Sequence, residues 1–186
     1  MATTQPPEHL LEEVESVLIG ENEIAARVRE LAADIERDFV DQDLLVVALL
    51  TGTVPFLADL IRHITLPLRL DFMGVSSYGN NTAPGELVFT KELRLEVQNR
   101  DLLLVDDILD TGKTLRAVLD KLNALQPRSL KTCVLLEKKS RRAEEITPDY
   151  VGFDVPDAFV VGYGLDYAEC YRNLPFIGIL KPEVYA

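Results

Sequence analysis

Leu102-Leu103-Leu104-Val105-Asp106-Asp107-Ile108-Leu109-Asp110-Thr111-Gly112-Lys113-Thr114-Leu115 is the stretch that decides the fold. Its first four residues form an apolar run of strand length, the pattern of a strand buried on both faces of a parallel sheet. The next nine, Asp106 to Thr114, read as a polar turn, and from about Leu115 to Leu125 the spacing is helical, closing before Pro127. Strand, turn and helix in that order make a βα unit. Open sheets of such units bind ligands outside the carboxyl ends of their strands, which is where Asp106 to Thr114 falls. Thr111 and Thr114 supply hydroxyls, Gly112 lets the backbone approach closely, and the helix start leaves amides unpaired, so Asp110 to Thr114 reads as a cradle for a phosphate monoester. Asp106 and Asp107 would repel that phosphate unless sugar hydroxyls or a hard divalent cation stand between them. The residues therefore suggest a phosphorylated sugar with magnesium. Helix capping alone would explain an isolated Asp-x-x-x-Thr. It does not require paired acids, a glycine and two threonines behind a buried strand.

Working outward, Leu44 to Leu50 is a second apolar run, followed by a turn at Thr51-Gly52-Thr53 and a helical pattern from Val54 to Ile64. Upstream, Ile24, Val28, Leu31, Ile35 and Phe39 recur at helical spacing and mark an amphipathic helix that covers a face. Leu66, Leu68, Leu70 and Phe72 alternate with polar residues, as do Leu93, Leu95 and Val97, predicting two half-buried strands. Between them Ser76 to Gly85 is rich in Gly, Asn, Ser and Pro and reads as a mobile hairpin loop. Leu130 to Leu136 supplies a further buried strand, and Tyr150–Phe153, Phe159–Val161 and Phe176–Leu180 are short ones. Strands alternating with helices predict an α/β fold with a parallel sheet flanked on both faces. Residues 1–9 are expected to form a flexible tail and residues 10–186 a single domain.

Of 186 residues, 47% are apolar and 27% charged, enough for one well-buried core. The formal charge is −12, most of it local, because residues 1–43 hold 12 acids against 3 bases. An acidic front and a near-neutral body argue against nonspecific binding to nucleic acid or to an anionic membrane. The longest uncharged run, Leu44 to Ala58, is too short and too broken to span a bilayer, and no secretory signal is legible at the start. Cys133 and Cys170 give neither a disulfide framework nor zinc spacing, which points to a reducing cytoplasm.

The stretch from Leu104 to Leu115 resembles the phosphoribosyl pyrophosphate (PRPP) signature of type I phosphoribosyltransferases. Further segments are similar to the hypoxanthine-guanine branch of that family: Leu50-Thr51-Gly52, Asp71-Phe72-Met73 with Ser76-Ser77-Tyr78-Gly79, Leu135 to Arg142, Phe159 to Tyr167, and Tyr171 to Pro175. The resemblance spans about Ile24 to Leu180. It implies a central, mostly parallel sheet flanked by helices, with a small hood over the active site and a mobile loop containing Ser77 and Tyr78. It implies transfer of ribose 5-phosphate from PRPP to N9 of a 6-oxopurine with inversion at C1′. Asp106 and Asp107 would face the ribose hydroxyls and Mg2+, Asp110 would accept the proton at N7, and Thr111, Gly112, Lys113 and Thr114 would hold the 5′-phosphate. Thr51, Gly52 and Arg172 would lie at the pyrophosphate. Lys138 would meet the 6-oxo group, Phe159 would stack on the base, Val160 would bind its edge through backbone groups, and Asp166 would hold a second Mg2+ beside the base. A homodimer or homotetramer is implied as well.

The chain departs from many relatives in carrying Thr51 where they have lysine, Asp106 where they have glutamate, and Lys139 beside Lys138. Relatives often have a non-proline cis peptide at the Leu50-Thr51 step, and the sequence leaves that open here. An alternative class, a regulatory nucleotide sensor that keeps the fold and binds RNA, would need a basic face that the charge distribution does not supply. A phosphotransferase using Asp106 or Asp107 as nucleophile would have no use for the threonine-glycine cradle.

Overall fold

The computed structural model describes residues 11–77 and 87–185. In chain order the elements are β1 (Val14–Ile19), α1 (Glu21–Asp38), β2 (Leu44–Leu50), α2 (Val54–His63), β3 (Leu68–Ser77), β4 (Leu87–Lys91), β5 (Asp101–Leu109), α3 (Lys113–Ala124), β6 (Ser129–Glu137), β7 (Tyr150–Asp154), β8 (Val160–Val161), β9 (Ile177–Leu180) and α4 (Pro182–Tyr185). A six-stranded sheet runs β4-β3-β2-β5-β6-β7, parallel throughout except for β4, which returns antiparallel on β3.

The uninterrupted apolar runs fit because both faces of this sheet are covered. Along β2, Leu44, Val46 and Ala48 enter one core with α1 and α2, while Leu45, Val47 and Leu49 enter another with α3. Along β5, Leu103 and Val105 face the first core and Leu102 and Leu104 the second. α1 buries Ile24, Val28, Leu31, Ala32 and Ile35, places Glu21 and Glu23 in its first turn and Arg37 in its last, and so complements its own dipole. Above the carboxyl ends of the strands sits a separate antiparallel sheet, β1-β9-β8, which forms the hood.

Two sequence expectations are corrected. The strand predicted over Leu93, Leu95 and Val97 is not one; the partner of β3 is Leu87–Lys91. The buried Asp71 carboxylate accepts the Arg94 and Leu95 amides at 2.6 and 2.8 Å, and so takes the place of a strand ladder for those residues. The second correction concerns Asp106 to Leu109, read above as turn. They continue β5, because Ile108 and Leu109 still pair with Leu136 and Glu137 of β6. The turn proper is Asp110 to Gly112. β1, with only Ile19 fully buried, carries too weak a pattern to have been read as a strand. The expected tail, residues 1–9, and most of the expected hairpin loop, including Tyr78, lie outside the described residues. Ser77 ends β3. No described helix is long and apolar enough to cross a membrane.

Candidate active site

Strand β5 carries Asp106 and Asp107 to the sheet's upper rim and ends at Leu109, one residue before Asp110. Gly112 caps α3 with φ +86°, a left-handed conformation that favours glycine. Asp106 to Gly112, with Thr114 and Leu115, line a cavity of about 250 Å³. Thr111 and Thr114 are partly buried in it and Lys113 is exposed. Larger depressions of about 530 and 540 Å³ lie by Phe39, Asp43 and Arg69 and by Leu93, Leu95 and Leu125, where no acid pair and glycine-led helix start converge.

The acid pair is under electrostatic pressure. Burial, then the neighbouring Asp107 charge, pushes the Asp106 carboxyl well above its usual range, and burial raises Asp107 too, opposed by Arg172 among others. Thr53 Oγ1 donates to Asp106 Oδ1 at 3.4 Å and the Asp107 amide donates to the same oxygen at 3.0 Å. A buried Asp106 with few donors beside a half-buried Asp107 makes an acid pair suited to hydroxyls or a cation. The Leu50-Thr51 peptide is cis. Gly52 is buried against the pair, where an added Cβ would fall 1.8 Å from Asp107 Oδ2. Thr51 is exposed and brings no charge.

The hood reaches the same place. Gly164, at φ +103°, lies so close that a Cβ there would be 1.8 Å from the Gly52 carbonyl oxygen. Arg172 Nη1 donates to the Gly164 carbonyl at 2.9 Å and pairs with Asp166 Oδ1 at 2.9 Å, while the Glu169 amide donates to Asp166 Oδ2. Asp166 and Arg172 are thus joined, and Arg172 bears on Asp107.

At the other end Asp110 leaves Oδ1 buried and without a hydrogen-bond partner among the described residues, while Oδ2 lies 3.7 Å from Arg141. An orphaned buried carboxylate oxygen is costly and marks a position waiting for a donor. Lys138 is 6% exposed. Burial pulls its ammonium below the usual lysine range, and the Asp110 carboxylate opposes that. Lys139 turns outward to Asp154 at 2.9 Å, so of the two neighbouring lysines Lys138 is the one in the site. Lys138, Arg141, Asp157, Ala158, Phe159 and Tyr185 enclose a cavity of about 300 Å³. Phe159 stands half-exposed at its edge, and Val160 is buried in β8.

Sequence reasoning missed several participants. Arg142 donates to the Asp110 carbonyl at 3.2 Å, the Ile146 carbonyl at 2.7 Å and Glu137 Oε1 at 2.8 Å, and the Ala143 and Glu144 amides donate to the Thr111 carbonyl. That strap holds the segment after Lys138 on the Asp110–Gly112 turn. Gly164 and Thr53 were open to a reader alert to the Gly162-Tyr163-Gly164 spacing and to the second hydroxyl of Thr51-Gly52-Thr53. Nothing local in the sequence distinguishes Arg142 from its cationic neighbours.

Known proteins resemble this chain in sequence and fold. Residues 16–168 match the family model described as phosphoribosyl transferase domain. The hypoxanthine-guanine phosphoribosyltransferase of Bacillus subtilis is 50% identical over 174 residues, covering 93% of this chain and 97% of the relative. The protein of that name from Streptococcus mutans is 42% identical over 178 residues, covering 95% and 99%. A crystal structure of a hypoxanthine phosphoribosyltransferase from Staphylococcus aureus superposes with a TM-score of 0.93 at 42% identity, over 98% of this chain and all of the other. With a matching family model across most of its length and relatives this similar over nearly all of it, the chain belongs to the phosphoribosyl transferase domain family.

Proposed function

We propose that this chain is a purine salvage phosphoribosyltransferase that moves the 5-phosphoribosyl group of PRPP onto N9 of hypoxanthine or guanine, releasing IMP or GMP and pyrophosphate. The observation that carries the reading is the orphaned Asp110 oxygen, set between a phosphate cradle and a buried lysine. The names borne by the B. subtilis and S. mutans relatives support the same activity.

In this reading Thr111, Gly112, Lys113 and Thr114 hold the 5′-phosphate at the α3 start, and Asp106 and Asp107 accept hydrogen bonds from the ribose hydroxyls. The bond from C1′ to the pyrophosphate oxygen breaks as the bond to N9 forms. The N7 proton of the base passes to Asp110, whose unpaired oxygen is the acceptor. Lys138 donates to the 6-oxo group, which favours a 6-oxopurine over adenine. Phe159 stacks on the ring and Val160 backbone groups bind its edge. Gly52 and Thr51 border the pyrophosphate, and Arg172 neutralises it. In this reading the hood shields C1′ from water together with Ser77, at the end of β3, and Tyr78, the next residue in the chain.

The residues present fit magnesium. Among the described residues no cluster of three or more acidic, histidine or cysteine side chains forms a protein-only cage. Two adjacent carboxylates completed by substrate oxygens and water are the donor set this ion prefers. Asp106 and Asp107 would hold it, and Asp166 a second one. Bound there, magnesium draws negative charge into the leaving pyrophosphate and so stabilises a transition state with positive character at C1′. Residues 10–186 act in this reading as one domain, assembled as a homodimer or homotetramer in the cytoplasm, with no nucleic-acid or membrane partner.

The test incubates purified protein with PRPP and Mg2+ and with hypoxanthine, guanine, xanthine, adenine or uracil in turn, and resolves the products by chromatography. IMP and GMP are expected, with little or no AMP or UMP. Failure of every 6-oxopurine to yield a nucleotide would sink the proposal.

A further inference from the structure

Phe159 does not stand alone at the base cavity. Tyr185 stacks on it with ring centroids 4.8 Å apart and planes inclined by 25°, and Tyr167 meets it edge-on at 5.5 Å and 89°. Both Phe159 and Tyr185 line the cavity that Lys138 and Arg141 enter. Tyr185 is delivered there by a fixed piece of backbone. The Leu180 amide donates to the Phe159 carbonyl at 2.8 Å, the Lys181 amide to the Glu13 carbonyl at 3.0 Å, and the Val184 amide to the Lys181 carbonyl at 3.0 Å. Val184 packs against the hood core of Val161, Tyr171, Leu174 and Leu180. One side chain of α4 therefore anchors the turn while the next reaches over Phe159.

Phe159 is 36% exposed and sits just before β8, so its ring would otherwise swing between rotamers. Offset stacking restricts that swing because it rewards one plane. We propose that Tyr185 is a positioning residue for the purine, its stack on Phe159 holding that ring in the plane on which the base lies. The inference rests on the function proposed above and adds the residue that sets the order of the stacking wall. The phenol hydroxyl has no part in it; the aromatic face does the work.

Steady-state kinetics with varied hypoxanthine and varied PRPP tests it on the full chain. Tyr185→Ala and Tyr185→Leu are expected to raise KM for hypoxanthine about three- to tenfold, the range an aromatic pair supports. KM for PRPP and kcat should stay within about twofold, and Tyr185→Phe should restore the wild-type KM. Since the chain contains no tryptophan, Tyr185→Trp supplies a single tryptophan emission, read with excitation that tyrosine does not absorb. That signal should change with IMP and stay constant with ribose 5-phosphate. An unchanged KM for hypoxanthine in both Tyr185→Ala and Tyr185→Leu overturns the inference. So does an equal loss for the two substrates, or an emission that responds equally to the two ligands. If wild-type protein forms no nucleotide, the function proposed above is what fails, and the kinetics of the variants are not reached.

Discussion

Replacing Arg142 by alanine removes a guanidinium that makes three hydrogen bonds, to the Asp110 carbonyl, the Ile146 carbonyl and Glu137. The side chains of Arg142 and Glu137 are 16% and 10% exposed, so this is a largely buried ion pair. Breaking such a pair from one side costs about 3–5 kcal/mol, because the remaining charge is left without its partner. Here Lys139 lies 4.0 Å from the other Glu137 oxygen and softens the loss. About 2–3 kcal/mol is expected, a fall in Tm of roughly 5–10 °C for a chain of this size. Loss of the tether on Asp110 should also lower kcat/KM for hypoxanthine about tenfold, the equivalent of one well-made hydrogen bond. The double variant Glu137→Leu/Arg142→Met separates the two effects. Apolar side chains of similar length leave no buried charge, so thermal stability should return to within a few degrees of wild type. The Asp110 carbonyl stays unheld, and activity should remain low. Differential scanning fluorimetry and initial-rate assays read the two quantities. Full recovery of activity in the double variant, or an Arg142→Ala protein indistinguishable from wild type in both, would refute the strap.

Asp110→Ala should lower kcat by about a hundredfold or more while KM for PRPP changes by less than about threefold; equal losses in both parameters would contradict its part as proton acceptor. Lys138→Gln should narrow the preference for hypoxanthine over adenine by about tenfold or more in kcat/KM, since a cation no longer faces the exocyclic group; an unchanged ratio would dissociate Lys138 from base choice. For Asp71, burial opposes ionisation, but the Phe72, Arg94 and Leu95 amides and the Lys91 ammonium outweigh it and hold the carboxyl below its ordinary value of 3.8. Its contribution is therefore complete above about pH 4 and is lost as pH falls through the lowered folded value. Asp71→Asn, with one acceptor where the carboxylate offers two, should cost about 2–4 kcal/mol at pH 7, and urea titrations should show that gap narrowing as pH falls below 3.8. A gap constant down to pH 2 would show that ionisation of Asp71 is irrelevant.

The central sheet was legible because double-sided burial leaves an unmistakable mark. Leu44 to Leu50 and Leu102 to Val105 have no polar residue to accommodate, and the turn chemistry after Val105 stood out against them. What escaped has physical reasons. Leu93 to Val97 alternates like a strand, but its amides are met by a side chain, Asp71, and sequence pattern does not report which acceptor a backbone finds. β1 exposes its middle, Glu15 to Val17, and packs only through its two ends, Val14 and Leu18-Ile19, which leaves no alternation to read. In the site, the acids, the cradle and Lys138 are adjacent in sequence or follow strand ends. Gly164, Arg142 and Tyr185 matter through contacts across the fold: Gly164 with Gly52, Arg142 with the Asp110 carbonyl, and Tyr185 with Phe159. Their residue types are common, and only the tertiary arrangement separates them from any other glycine, arginine or tyrosine.

The hood is sewn from segments far apart in the chain, Val17 of β1 pairing with Gly178 of β9 across a separation of roughly 160 residues. As the polypeptide emerges from the ribosome, β1 has no strand to pair with until nearly all of the polypeptide has been made, while β2, β5 and β6 can already assemble. The Asp110–Gly112 turn and the acid pair can therefore form on a nascent chain before the β1-β9 pairing that completes the hood. A translation product cut short before Ile177 would lack β9, the strand that joins β1 to β8, and so leave both without their shared partner.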